Sequence, residues 1–155
     1  MSAVVVAARG WLGTPYVHQA STPGAGCDCL GLVRGVWREV LGPEPEPIPP
    51  YSMDWSEPQG EERLWQAAAA HMRGVPVAAE RAGDVLLFRM RDGAVAKHLG
   101  IQGRTGALAT VIHAYSGPGV VESALVPGWR RRIVARFRMP CPASPGGGDA
   151  SKGSM

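Results

Sequence analysis

The sequence predicts an α+β fold, with helices ahead of an antiparallel sheet, on three observations. Helical periodicity belongs to the first half, where Cys29, Leu32, Val33, Val36, Trp37, Val40 and Leu41 recur at three and four residues. After Gly83-Asp84 the pattern drops to alternation or short apolar runs between glycine-containing turns. No internal repeat interrupts this order, so one run of helices meets one run of strands.

Element by element, residues 3–12 are too densely apolar to reveal a face, and Gly13-Thr14-Pro15 then ends a short first helix. Residues 13–28, rich in Gly, Ser, Thr and Pro, read as loop. Asp28 suits the N-cap of the second helix and Gly42-Pro43 its stop, near Leu41. Pro43, Pro45, Pro47, Pro49 and Pro50, interleaved with Glu44 and Glu46, make a stiff extended connector. A third helix fits residues 60–73, with Leu64, Trp65, Ala68 and Met72 on one face. Strands are expected over 85–90, 98–102, 108–115, 119–125 and 133–138. One domain is therefore expected over residues 1–140, with a disordered glycine-rich tail over 141–155.

Composition narrows the function. Among 155 residues, 45% are hydrophobic and 19% charged, the balance of a globular chain rather than a disordered one. The net charge of +3 draws on Arg130, Arg131, Arg132, Arg136 and Arg138 and is too mild to make nucleic acid the expected partner. The longest apolar run, 3–8, falls far short of the ~20 residues that cross a membrane. It is also a poor signal peptide, since no positive charge precedes it and Arg9 closes it; a cytoplasmic product is the expectation. Three cysteines, two of them one residue apart, argue against a disulfide framework and for at least one thiol.

Cys29 opens a helix, where unpaired backbone N–H groups and the dipole are expected to lower a thiol's pKa toward the nucleophilic thiolate. A buried apolar cysteine is the plainer alternative. In His98-Leu99-Gly100-Ile101-Gln102, His98 shares a face with Gly100 and Gln102, and in Val111-Ile112-His113-Ala114-Tyr115, His113 likewise alternates with Ile112 and Ala114. Two histidines on neighbouring strands can act in series, one as base for the thiol and the other orienting that base. Cys29 is the expected reactive thiol, because Cys27 lies outside the helix start and Cys141 lies in the tail.

Gly13-Thr14-Pro15-Tyr16, Asp28-Cys29-x-Gly31-Leu32-Val33, Ala82-Gly83-Asp84-Val85-Leu86-Leu87-Phe88, His98-x-Gly100-Ile101 and Ile112-His113-Ala114 together resemble the ordered motifs of the NlpC/P60 peptidases. These are papain-like cysteine peptidases of the bacterial cell wall. The resemblance implies Cys29 as nucleophile, His98 as general base, His113 as the orienting third residue and Tyr16 as a hydroxyl beside the oxyanion. It implies peptidoglycan stem peptides as substrate, cut between D-glutamate and the diamino acid, with no cofactor and no metal. The run from Cys27 to Arg38 is similar to the copies in phage tails and gene transfer agents. That likeness implies tail-tip partners, assembly into a phage-like particle and action on the target cell's wall, without direct nucleic-acid binding or membrane insertion. The 43–50 connector and Arg130, Arg131 and Arg132 are the expected docking segments. Two departures stand out: Leu30 replaces the family's serine, and His18-Gln19 replaces its Trp-Gly-Gly segment.

Three other readings remain open. Cys27, Cys29, His18 and a further histidine could bind zinc, although structural zinc spaces paired cysteines by about two to four residues. A catalytically silent tail component could keep the fold alone, and a related acyltransferase or amidase could use the same residues.

Overall fold

The computed structural model describes residues 2–46 and 62–140. The helices are α1 (Ala3–Arg9), α2 (Cys29–Val40), α3 (Arg63–His71) and the single turn α4 (Pro127–Arg130). The strands are β1 (Ser21–Thr22), β2 (Gly26–Cys27), β3 (Arg73–Val75), β4 (Val85–Phe88), β5 (His98–Gln102), β6 (Thr110–Tyr115), β7 (Gly119–Ala124) and β8 (Ile133–Arg138). The last six form an antiparallel sheet in the order β3-β8-β4-β5-β6-β7. The α+β architecture expected from the sequence is the one that forms. Residues 13–28, expected as loop, contain the small β1–β2 hairpin. The 47–50 part of the connector and the 141–155 tail, with Cys141, lie outside the described residues.

Alternation sorts the sheet into two faces. Val85, Leu87, Leu99, Ile101, Ile112, Ala114 and Phe137 join Val5, Trp11, Leu32 and Val36 in the main core beneath α1 and α2. Leu86, Phe88 and Val111 turn the other way and pack with Leu125, Trp129 and Ile133. Trp11 crosses α2 at Gly35, where a Cβ would lie 2.0 Å from the indole, and its Nε1–H donates to Glu39 Oε2 at 2.7 Å. Arg9 makes a two-pronged ion pair with Glu122, tying α1 to β7.

Below the second face lies a buried polar network. Asp84 Oδ2 accepts from Arg136 Nη1 at 2.8 Å and Oδ1 from Arg138 Nε at 2.9 Å, while Arg136 Nη2 donates to Gln102 Oε1 at 3.0 Å. Both partners of the Asp84–Arg136 pair have 1% of their side chains exposed, so neither charge is satisfied by water. Two of the five arginines counted above as late positive charge therefore lie inside the fold or against it. Of the rest, Arg130 is engaged by Glu80 and the Gly106 carbonyl, and Arg132 lies over the Trp129 ring. Within the connector, Glu44 is held by Arg34 and Arg38 against α2.

Asp84→Asn leaves the Arg136 guanidinium buried without its counter-charge. The expected loss is about 3–5 kcal/mol in urea unfolding, far more than the ~0–1 kcal/mol expected for opening the exposed Arg130–Glu80 pair by Glu80→Gln.

Candidate active site

The site is assembled from the start of α2 and the middle of the sheet. Asp28 is in extended conformation and its Oδ1 accepts the Gly31 N–H at 2.7 Å, capping α2 so that Cys29 is its first residue. The other oxygen, Oδ2, accepts the Gln19 N–H at 2.7 Å and holds the loop before β1 against the helix start. Gly31 permits that approach: a Cβ there would lie 1.9 Å from the Ala20 carbonyl oxygen. Asp-Cys-x-Gly is thus a cap, a presented thiol and a missing side chain.

The Gly13-Thr14 segment is laid along β7, with Gly13 N–H donating to Val120 and Val120 N–H to Thr14, each at 3.0 Å. Tyr16 follows, bridged to Cys27, and comes close enough for a charge on Cys29 to affect its hydroxyl. On the sheet, the Ile101–Ile112 and Gln102–Val111 pairs set the β5–β6 register. Continued along the strands, that register puts Gly100 opposite His113 and His98 diagonal to it. A Cβ at Gly100 would lie 2.4 Å from Val111 and 3.3 Å from the His113 Cβ, so glycine here makes room for the second histidine. His98 Nε2 and His113 Nδ1 are 2.8 Å apart, and His113 Nε2 lies 3.3 Å from Ser123 Oγ.

Cys29 is half-buried, and its sulfur rests against the backbone on both sides of His98: the Lys97 carbonyl at 3.9 Å, and the Leu99 N–H. The thiol and the His98 ring share no hydrogen bond, and His98 faces Phe88 and Trp129 on the side of the sheet away from α1 and α2. The approach to His98 is itself anchored, because Glu62 ahead of α3 accepts the Ala96 N–H at 2.9 Å and pairs with Arg89. Cys27 is fully buried in β2. Among the described residues no three side chains suited to a metal converge, and no helix is long and apolar enough to cross a membrane.

The model of the NlpC/P60 family matches residues 13–138 of this chain. The chain belongs to the NlpC/P60 family. The family's members are cysteine peptidases and peptidoglycan hydrolases. Its fold is similar to that of the NlpC/P60 domain of the peptidoglycan hydrolase SagA, with a TM-score of 0.60 at 25% identity over 88% of this chain and 97% of that one. NlpC/P60-family structures from Staphylococcus aureus and Bacillus cereus share the fold at TM-scores of 0.58 and 0.59, with 18% and 17% identity. They match 88% and 90% of this chain, which spans 40% of each. A gamma-DL-glutamyl hydrolase of Bacillus subtilis is 49% identical over 39 residues, 25% of this chain and 9% of that hydrolase.

Against the NlpC/P60 pattern, both departures have visible surroundings. Leu30 packs against the core and, with Val33, Trp37, Leu64 and Leu99, lines an apolar groove of about 80 Å³ between α2 and α3. Gln19 has φ 66°, a left-handed conformation where the family segment carries glycine. The Asp28 bond to its N–H holds it there.

Sequence reasoning missed the aromatic cover. Trp129 on α4 meets His113 edge-on at 5.1 Å and lies 5.9 Å from His98 and 5.4 Å from Phe88, while Tyr115 lies 4.9 Å from His113. Pro127-Gly128-Trp129 shows no period, and only an isolated tryptophan between two strands could have hinted at this role.

The expected low thiol pKa is corrected by the structure. Burial pushes the Cys29 thiol up to about 12, with the Asp28 carboxylate adding to the rise, despite N–H groups of Leu99, Leu30 and Cys29 that pull it down. A helix start is worth about 0.3–1 kcal/mol, less than one pKa unit, whereas burial can shift a group by several. Burial, with His113 beside it, depresses His98 to about 3, and burial depresses His113 to about 4. At rest, then, thiol and imidazoles are all neutral. Burial also raises Tyr16 to about 12, keeping its hydroxyl a donor.

The depressed histidines make stability pH-dependent. Unfolded histidine takes up a proton near 6.5, while these two stay neutral in the fold until well below that. Their contribution is complete above about pH 6.5 and is lost as pH falls toward their folded values, by up to ~1.4 kcal/mol per pH unit for each ring. Urea midpoints should therefore fall between pH 7 and pH 5, and the slope should flatten in the double variant His98→Gln, His113→Gln.

Proposed function

We propose that this protein is a peptidoglycan stem-peptide hydrolase, a cysteine endopeptidase in which Cys29 is the nucleophile, His98 the general base, His113 its orienting partner and Tyr16 an oxyanion donor. The observation that carries the reading is the Cys29 sulfur lying on the backbone that flanks His98, whose far nitrogen is already bonded to His113. That leaves His98 Nδ1 as the nitrogen available to the thiol. Their hydrogen bond closes when substrate binds, as catalytic contacts in unliganded sites commonly do.

The chemistry follows from neutral groups. As the sulfur attacks the scissile carbonyl, its proton passes to His98 Nδ1, so no free thiolate need form in advance. The oxyanion is met by the Cys29 N–H at the helix start and the Tyr16 hydroxyl, a donor over the whole working range of pH. Collapse breaks the C–N bond, and His98 returns the proton to the leaving amine. Water then attacks the thioester, giving a proton to His98, which hands it back to the departing sulfur as the carboxylic acid is released.

Support for cleavage between D-glutamate and the diamino acid comes from the short but close match to a gamma-DL-glutamyl hydrolase, and support for peptidoglycan as the polymer comes from the likeness to the NlpC/P60 domain of a peptidoglycan hydrolase. Delivery on a phage-like tail tip to the target cell's wall rests on the Cys27-to-Arg38 likeness. A catalytically silent tail component would need neither the 2.8 Å histidine pair nor a thiol beside it.

Purified peptidoglycan should yield new stem-peptide ends with the wild-type protein and none with Cys29→Ala, as read by mass spectrometry. Equal digestion by both would overturn the nucleophile. His98→Asn should abolish turnover, whereas His113→Asn should retain considerable activity, because an amide oxygen still accepts the His98 N–H. For delivery, the protein should co-purify with assembled particles, and particles lacking it should attach yet transfer little DNA. Full transfer without it would refute the tail-tip role and leave the peptidase chemistry intact.

A further inference from the structure

We propose that Ser123 is a positioning residue that selects the productive proton arrangement of the two histidines. The proposal deepens the reading of His98 as general base and rests on it.

His98, His113 and Ser123 stand on β5, β6 and β7, three neighbouring strands of the sheet. The β6–β7 register pairs His113 with Val121 and Val111 with Ser123, so Ser123 shares the face of His113 and lies diagonal to it. The β5–β6 pair repeats that diagonal, with His98 on the other side of His113. The result is a ladder across the sheet, 2.8 Å from His98 Nε2 to His113 Nδ1 and 3.3 Å from His113 Nε2 to Ser123 Oγ. His113 is fully buried, so its Nε2 cannot turn to solvent instead, whereas Ser123 is half-buried.

Proton counting gives the ladder a direction. A neutral imidazole carries one N–H. For His98 to receive the thiol proton on Nδ1, that nitrogen must be bare, so the single proton of His98 sits on Nε2 and is donated to His113 Nδ1. His113 Nδ1 then accepts, and its own proton sits on Nε2, where the Ser123 oxygen accepts it. In the reversed arrangement His113 donates from Nδ1 and His98 carries its proton on Nδ1, facing the thiol, where it can accept nothing. The Ser123 hydroxyl can accept from the Nε2–H of the first arrangement or donate to the bare Nε2 of the second. Its loss weighs more on the first, because a buried N–H left without an acceptor is costlier than an imidazole lone pair left without a donor, and the second then gains population.

The test compares Ser123→Thr with Ser123→Val, two β-branched residues of nearly one shape that both suit a strand, alongside Ser123→Ala. Tautomers are read by nitrogen NMR of histidine-labelled full-length protein, independently of activity. Turnover is read on soluble stem peptides. Ser123→Thr should keep the His113 proton on Nε2 and hold kcat within about twofold. Ser123→Val and Ser123→Ala should shift His113 toward the Nδ1–H form and lower kcat about five- to tenfold, KM being unchanged. Identical tautomers and kcat in the Thr and Val variants would overturn the proposal, as would a tautomer shift that leaves kcat untouched while Cys29→Ala is inactive. If Cys29→Ala instead keeps full turnover, the cysteine-peptidase reading fails first, and the tautomer data still report whether Ser123 directs the ladder.

Discussion

One carboxylate sets the geometry on which the site depends. Asp28 spends one oxygen on the first turn of α2 and the other on the Gln19 N–H. The first bond decides which residue begins the helix, and so which side chain stands at its mouth. The second fixes the loop whose Ala20 carbonyl comes so close to Gly31 that no side chain fits between. An N-cap is ordinarily worth about 1 kcal/mol, but here it also determines where a sulfur is presented. The left-handed Gln19 is held in place by the same carboxylate.

The sheet side of the site is held by different means. Asp84, Arg136, Arg138 and Gln102 bind β8 to the start of β4 and the end of β5 through buried charge. Buried ion pairs are a poor route to net stability, since apolar residues of similar volume often do as well. What the network supplies is a register that cannot slip, because a shift of one residue would carry Arg136 to the apolar face under α1 and α2. His98 inherits that register from the same strand as Gln102.

Much of this was legible in the residues. The three-and-four spacing from Cys29 to Leu41 gives α2, and the two-residue alternation gives β5 and β8 at their observed bounds. The His-x-Gly spacing carries the histidine pair, because glycine beside a diagonal partner is a packing statement visible in sequence. Three things were not legible. The strand β3 and the turn α4 are too short to show a period, and β3 exists through its pairing with β8. The Trp129 cover depends on how the β7–β8 connection folds back over the sheet. The sign of the thiol's shift was misjudged because position along a helix can be read from sequence, whereas the depth of protein above a sulfur cannot.

The positions of these groups along the chain have a consequence for when the protein becomes competent. Cys29 and the backbone it touches are 68 residues apart, and the His98–His113 and His113–Ser123 contacts lie 15 and 10 residues apart. The helix that presents the sulfur can form early from local interactions. Its counterpart exists only after β4, β5 and β6 have paired, a non-local closure that is intrinsically slow. With Cys29 and His98 in the roles proposed above, a growing or partly folded chain carries a capped helix and a thiol but no base, and it cannot yet turn over a stem peptide. Competence arrives late, with completion of the sheet.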